Sequence, residues 1–271
     1  MKSSLKLRLA CPAVTILLVA LAASGASVST DALSDAFVAT GPTGNLSGDN
    51  FGSAGALAIS AGALPKGEFQ SVVQFDLSAA RNSFDSQFGA GLWTAESVTL
   101  RLTASPHSNS IFNDIAAGQF SVSLMQNNSW MEGTGTGGTP TTDGISFNSL
   151  QSTYINNALD QPLGTFTFSG GISGANTYEL ALSSSLTAKL LAGDDLSLRL
   201  YAADNSISYL FSSRANAAAG PQITVIAVPE PASFAFWLGG LATIMAWRWK
   251  RLPYLRNRRK KGVVARVRTT R

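Results

Sequence analysis

Short segments with an apolar residue at every second position recur along most of the chain between residues 27 and 227. Such alternation predicts strands that bury one face. The clearest segments are 69–77, 98–103, 120–124, 178–182, 196–200 and 223–225, and 56–60, 164–168 and 207–211 follow the same pattern. In the first of them, Phe75 belongs to the apolar face, and Gln70 and Gln74 are expected on the solvent face.

Two stretches have helical spacing. Ser183 can cap a helix over 183–191 that ends before Gly193, and a second short helix is predicted at 150–159. Many strands, Gly/Asn-rich turns and little helix favour one mainly β domain over residues 27–227. We expect an antiparallel β-sandwich, similar to a jelly roll.

The first 26 residues have the three parts of a secretory signal peptide. Lys2, Lys6 and Arg8 precede an apolar run at 13–23, and small residues ending at Ala26 follow it. We therefore expect signal peptidase to cleave after Ala26 and the remainder to be exported. The only cysteine, Cys11, lies in this leader, so the exported part has no disulfides.

The C-terminal region has the composition of a membrane anchor. Residues 232–249 are mostly apolar and carry one charge, Arg248; as a helix they would span about 27 Å, close to the ~30 Å of a hydrocarbon core. Val228, Pro229, Glu230 and Pro231 precede this run. A basic cluster that includes Arg251 follows it, and residues 262–271 form a basic tail expected in the cytoplasm.

The distribution of charge supports this topology. The whole chain has a formal net charge of +4, but residues 27–230 hold six Lys/Arg and all 16 Asp/Glu, a net charge of −10. An acidic exported domain with a basic cytoplasmic tail fits a membrane-anchored protein. The same distribution argues against nucleic acid as a partner.

The C-terminal pattern resembles the PEP-CTERM sorting signal. The matching positions are Pro229, Glu230 and Pro231, the membrane helix at about 232–249, and the basic residues beginning at Arg248 and Arg251, with the whole signal covering 228–261. The tail departs from the usual pattern because it continues to Arg271. The resemblance implies recognition by an exosortase, a membrane cysteine protease-transpeptidase, after which the protein remains in the envelope, on the surface or in the extracellular matrix.

The middle of the chain resembles the DNRLRE domain, a β-sandwich similar to carbohydrate-binding modules. The resemblance rests on short motifs in the family's order: Asp35 to Val38, Asp49 to Gly52, Val73 to Ser78, Trp130 to Thr134, and Ser212 to Arg214 followed by Pro221, with Ala215 in place of the family's Glu. It implies a jelly roll and, for some members, polysaccharide binding.

Candidate chemistry in the exported domain is sparse. His107 lies in a predicted loop with no nucleophile motif around it, so no catalytic residues and no enzyme activity are predicted. Trp93 and Trp130 are candidates for stacking on sugars, although such residues more often belong to a core. No cofactor is expected beyond a structural Ca²⁺ in one of the oxygen-rich segments, 31–35 or 45–50.

Three functions are compatible with these features. The first is an exported, exosortase-sorted envelope or matrix protein whose β-sandwich binds polysaccharide. The second is a secreted polysaccharide hydrolase or lyase that uses carboxylates scattered along the domain. The third is a structural surface protein without a ligand.

Overall fold

The computed structural model describes residues 24–105, 112, 117–170, 174–230 and 239–240. Eleven strands dominate this part of the chain: β1 (Ala26–Asp31), β2 (Ser34–Ala39), β3 (Ala56–Ser60), β4 (Phe69–Phe75), β5 (Trp93–Thr103), β6 (Gly118–Met125), β7 (Gln161–Phe168), β8 (Ala175–Leu180), β9 (Leu196–Ala202), β10 (Ser208–Ser212) and β11 (Gln222–Pro229). All nine strands predicted from alternation are confirmed, with their ends shifted by at most five residues; β1 and β2 were not predicted.

The strands form two antiparallel sheets, so the mainly β prediction is confirmed. Sheet A has the order β1-β11-β5-β8, and sheet B has the order β10-β3-β4-β9-β6-β7, with β2 also paired to β4. Without β2, β3 and β10, eight strands remain. Counted from one to eight along the chain, they lie in the order 1-8-3-6 in sheet A (β1-β11-β5-β8) and 2-7-4-5 in sheet B (β4-β9-β6-β7).

The helices are short and lie between strands. They are α1 (Ser78–Phe88), α2 (Phe147–Ser149) with a π-helical turn at Leu150–Tyr154, α3 (Ser184–Ala192), and a 3-10 helix at Arg214–Ala219. Helix α3 confirms the predicted helix: the Ser183 hydroxyl accepts the Leu186 N–H, and Gly193 ends it in the left-handed conformation. Of the predicted 150–159 helix, only the first five residues are helical.

The main core lies between the two sheets. Inward-facing side chains of sheet A, such as Leu100 and Val225, meet those of sheet B, such as Phe75 and Leu198, and all four are buried. Helices α1 and α3 add Phe84 and Leu186 to this cluster. Burial of apolar surface on both sheets is the main source of stability for such an arrangement.

The outer face of sheet B is also covered, which corrects the expectation for Gln70 and Gln74. Gln74 is only 6% exposed, because the segment between β6 and β7 folds back over β4 and β9. Trp130, Ile145 and Leu150 of that segment form a second apolar cluster with Val72 of β4. Alternation in β4 therefore separates two buried faces, not a buried face from a solvated one.

Candidate functional site

The first two residues of the Pro-Glu-Pro motif, Pro229 and Glu230, are attached to the folded domain. Strand β11 continues past Ala227, and Val228 and Pro229 lie opposite Thr94 and Trp93 of β5. The Glu230 N–H then donates to the Leu92 carbonyl at 3.0 Å. Strand pairing therefore fixes the backbone of the motif as far as Glu230, whose side chain is half-buried.

The candidate signal-peptidase residue lies next to the motif. Ala26 is the first residue of β1, it pairs with Ala227 of β11, and its side chain is largely buried. The sheet therefore includes one residue more than the predicted 27–227 domain at its start and two more at its end. The predicted signal peptide and the predicted membrane helix are therefore joined to the domain at the same end of sheet A.

Several predicted features fall outside the described residues: the signal peptide as far as residue 23, His107, Pro231, Arg248, Arg251 and the tail. The predicted membrane helix has only residues 239–240 described. Within the described ranges, no helix is long and apolar enough to cross a membrane.

The two candidate stacking residues are core residues, so that role is wrong for both. Trp93 is 1% exposed; its indole N–H donates to Asp85 Oδ1 at 2.8 Å, and its ring centroid lies 4.9 Å from that of Phe84. Trp130 is 4% exposed and donates to Ser197 Oγ at 3.0 Å. With their rings packed against protein, neither residue presents a ring face to a sugar.

Four residues from the DNRLRE-like motifs converge above sheet B. We call Asp35, Asn50, Glu132 and Arg214 the motif cluster. Asn50 is its buried centre: Nδ2 donates to the carbonyls of Glu132 at 2.7 Å and Ile145 at 2.8 Å. Its Oδ1 accepts the N–H groups of Gly52 and Gly135, both at 3.1 Å. One amide side chain thus satisfies four backbone groups from three segments.

The backbone passes so close to Asn50 that it requires glycine. A Cβ built on Gly133, whose φ is +78°, would lie 2.3 Å from Asn50 Oδ1, and one on Gly135 would lie 1.9 Å from the Asn50 carbonyl oxygen. Neither distance is compatible with a side chain. The Gly-rich run that begins at Gly133 is therefore shaped around Asn50.

Glu132 and Arg214 join two of the motif segments through an ion pair. Arg214 Nε donates to both carboxylate oxygens of Glu132 at 3.0 Å, and Nη2 donates to Oε2 at 2.5 Å. The Arg214 backbone N–H donates to Asp35 Oδ2 at 2.6 Å. Because Arg214 bonds to both carboxylates, it connects β2, the Trp130 segment and the 3-10 helix.

Asp35 is the most perturbed carboxyl of this cluster. The pKa of Asp35 is raised from 3.8 to about 7, chiefly by burial and also by the charge of Glu132, against the lowering effects of the Arg214 N–H and guanidinium. Its carboxyl group therefore retains its proton in the folded chain at pH values where it would be ionised in the unfolded chain.

This difference predicts that the chain loses stability as pH rises. Between about pH 4 and pH 7 the folded state binds more protons at Asp35 than the unfolded state, so the free energy of unfolding should fall with rising pH. In Asp35→Asn the neutral amide can still accept the Arg214 N–H. Urea unfolding from pH 4 to pH 8 should show the variant gaining on the wild type up to about pH 7 and keeping that advantage above it. Parallel pH profiles for the two chains would contradict this.

The motif cluster has the contacts of a structural clamp. Asp35 and Asn50 are buried, and the Glu132 carboxylate is occupied by Arg214. Hydrolysis by paired carboxylates requires both groups to reach the same glycosidic bond. The hydrolase alternative stays untested, and this arrangement does not favour it.

In the oxygen-rich segments predicted to bind Ca²⁺, several side-chain oxygens accept hydrogen bonds from other protein groups. Asp31 Oδ1 accepts from Gln222 Nε2 at 2.8 Å, and Asn45 Oδ1 accepts from Thr43 Oγ1 at 3.2 Å. Asp35 and Asn50 are engaged in the motif cluster. Among the residues described, no three His, Cys, Asp or Glu side chains are grouped to hold a metal ion. The Ca²⁺ site stays a prediction.

Comparison with known proteins identifies no family. No protein-family model matches the sequence, and no curated protein matches it. Among solved structures, a chain of the Cowpea mosaic virus top component, a naturally occurring empty particle, matches with 10% identity over 74% of this chain and 83% of that one. The TM-score is 0.24, and a likeness at that level says nothing about the fold or function of this chain.

Proposed function

We propose that this protein is exported through its signal peptide, held in the membrane by a C-terminal helix and processed by an exosortase, after which it remains in the envelope or extracellular matrix. The observation that carries the proposal is the order of features after β11: Pro229, Glu230 and Pro231, then an apolar run and a basic cluster. The pairing of Ala26 with Ala227 supports it, because both membrane-directed segments then leave one end of the domain.

The exported domain is proposed to be a jelly-roll β-sandwich. Its support is the order of the eight main strands: successive strands alternate between the sheets except for the fourth and fifth, β6 and β7, which are paired in sheet B, as in a jelly roll of two Greek keys. In this arrangement the sorting signal begins within the last strand of the domain. Signal peptidase and the exosortase are the processing partners, and nucleic acid has no role.

The sorting proposal is tested by changing the charge of the motif without changing its shape. Glu230→Gln retains the backbone bond to Leu92 and both prolines, so the fold should not change. If a membrane enzyme recognises the carboxylate, the variant should accumulate as a longer, membrane-bound precursor that still contains Arg271. Immunoblotting of membrane and extracellular fractions with an antibody against the exported domain measures size and location, and a C-terminal tag marks the precursor.

The matched control is Glu179→Gln, an exposed carboxylate on the outer face of β8, which should be processed like the wild type. Deletion of the exosortase should reproduce the Glu230→Gln precursor. If both Glu230→Gln and that deletion leave the size and location of the protein unchanged, the sorting proposal fails.

A further inference from the structure

A short uncharged turn lies beside the point where the chain leaves sheet A. It joins α1 to β5, and no residue from 86 to 92 carries a charge. Ala90, Gly91 and Leu92 are exposed, Leu92 to 45%. Phe88 is half-buried against the main core. We call residues 88–92 the end turn; it offers an apolar surface to whatever lies next to it.

Hydrogen bonds hold the end turn to both of its neighbours. The Gly89 N–H donates to the Asp85 carbonyl of α1 at 2.9 Å, and the Leu92 N–H donates to the Gly89 carbonyl at 3.1 Å. The Leu92 carbonyl accepts the Glu230 N–H at 3.0 Å. Because Trp93, the next residue, is buried at the start of β5, the turn cannot separate from the Pro-Glu-Pro motif without opening the sheet.

The short connection to the predicted membrane helix limits how far the end turn can stand from the bilayer. The apolar run begins at Ala232, two residues after Glu230, and two residues of extended chain cover at most about 7 Å. The headgroup layer on each side of the hydrocarbon core is roughly 5–8 Å thick. If the run from Ala232 enters the hydrocarbon core, Glu230 and the Leu92 backbone bonded to it lie at the level of the lipid headgroups.

The N-terminal lead reaches the same end of the domain. Gly25 runs beside β11, since a Cβ on it would lie 3.2 Å from the Ala227 carbonyl oxygen. The apolar run of the predicted signal peptide ends at residue 23. Two short attachments restrict the tilt of the domain more than one does, so in the precursor this end of sheet A faces the bilayer.

The charges around the end turn favour lipid contact through apolar groups. Residues 27–230 have a net charge of −10, so anionic headgroups do not attract the domain. The two charged side chains of α1, Arg81 and Asp85, lie 3.3 Å apart in an ion pair, and Asp85 also accepts the Trp93 indole N–H. An exposed leucine gains from leaving water for the boundary between headgroups and acyl chains.

We propose that the end turn contacts the phospholipid bilayer that anchors the precursor, with the Leu92 side chain inserted at the boundary between headgroups and acyl chains. This inference rests on the membrane anchor of the proposed function and adds the surface through which the exported domain meets the lipid. It also puts the Glu230 carboxylate at headgroup level, where a membrane enzyme can reach it.

Fluorescence quenching of the full chain in phosphatidylcholine vesicles tests this contact. In a Cys11→Ala background, which removes the only cysteine, Leu92→Cys is labelled with an environment-sensitive dye such as NBD. The labelled chain is compared in plain vesicles and in vesicles whose lipids carry a spin label on the acyl chain. The dye at position 92 should be quenched about twofold or more, because an inserted side chain lies within about 5–10 Å of the acyl-chain boundary.

The matched control is Leu33→Cys, which replaces another exposed leucine. It lies beyond the far end of β1, which is about 17 Å along the strand from Ala26. A dye at position 33 should therefore keep its intensity in the spin-labelled vesicles. If Leu92→Cys does not fold, Ala90→Cys places the dye in the same exposed turn and should give the same quenching.

Flotation of the vesicles distinguishes this proposal from the anchor on which it rests. A chain that floats with the vesicles but is quenched equally at positions 92 and 33 overturns the lipid contact and leaves the anchor standing. A dye at position 92 whose emission shifts to the blue without quenching assigns the surface to a second copy of the chain, which also overturns the contact. A chain that does not float has no anchor, and the lipid contact fails with it.

Discussion

Phe75→Ala should destabilise the folded chain by about 3–5 kcal/mol, as expected when a fully buried aromatic ring is removed from a site that cannot collapse. Phe75 is fully buried between the sheets, on a strand paired to β2 on one side and β9 on the other. Hydrogen bonds on both sides restrain the β4 backbone, so the cavity left by the ring stays open. Urea unfolding of the purified chain measures the loss.

Two glutamines supply the comparison. Gln74→Ala removes bonds from Nε2 to Asn128 O at 3.1 Å and to Asp195 Oδ2 at 3.2 Å, and it should cost about 1–2 kcal/mol. Gln119→Ala, at an exposed position of β6, should stay within about 0.5 kcal/mol. Equal costs for Phe75→Ala and Gln119→Ala would show that the inward face of sheet B has been misidentified.

The second large effect is expected at Asn50. Asn50→Ala leaves two backbone carbonyls and two N–H groups without their partner, and each buried group left unsatisfied costs about 1–3 kcal/mol. Allowing for partial rehydration, we expect a total loss of roughly 3–6 kcal/mol. Limited proteolysis should also show earlier cleavage in the segment between Glu132 and Ile145, which Asn50 holds in place.

Asn50→Asp separates hydrogen bonding from packing. Aspartate has nearly the same shape, but its carboxylate cannot donate to the carbonyls of Glu132 and Ile145. At pH 8 the variant should therefore be about as unstable as Asn50→Ala. Asn45→Ala, an exposed control bonded only to Thr43, should stay near the wild type. An Asn50→Asp chain as stable as the wild type would contradict the donor role of the amide.

The strands could be predicted where the local pattern reflects burial of a single face. Leu196, Leu198 and Leu200 alternate with other residues and mark β9 clearly. Strand β2 does not alternate: Ala36 to Ala39 are all apolar because one side packs on Phe51 and Phe69 and the other on Trp130. Helix α1 was missed because it buries only Ala80 and Phe84, too few for a helical pattern.

The candidate site was harder to predict because its residues meet only in the folded chain. The sequence suggests glycan stacking for Trp93 and Trp130, since nothing local indicates that Asp85 and Ser197 will bind their indole nitrogens inside the protein. Asn50 lies in the Asp49 to Gly52 motif, but its hydrogen-bonding role depends on backbone groups about 80 to 95 residues away in the sequence.

The place of β11 in sheet A determines when the domain can fold. Among the described strands, β1 pairs with β11 alone, and the side chains of Ser29 and Thr224 that meet across this pair are 195 residues apart in the sequence. The first strand to be synthesised thus waits for the last, and β5 also lacks one neighbour until then. Such high contact order slows folding, and sheet A cannot be completed before residues 222–229 have been synthesised. If the chain is exported as proposed, a sheet that stays open until β11 arrives would keep the domain from folding early and so favour its passage through a translocation channel.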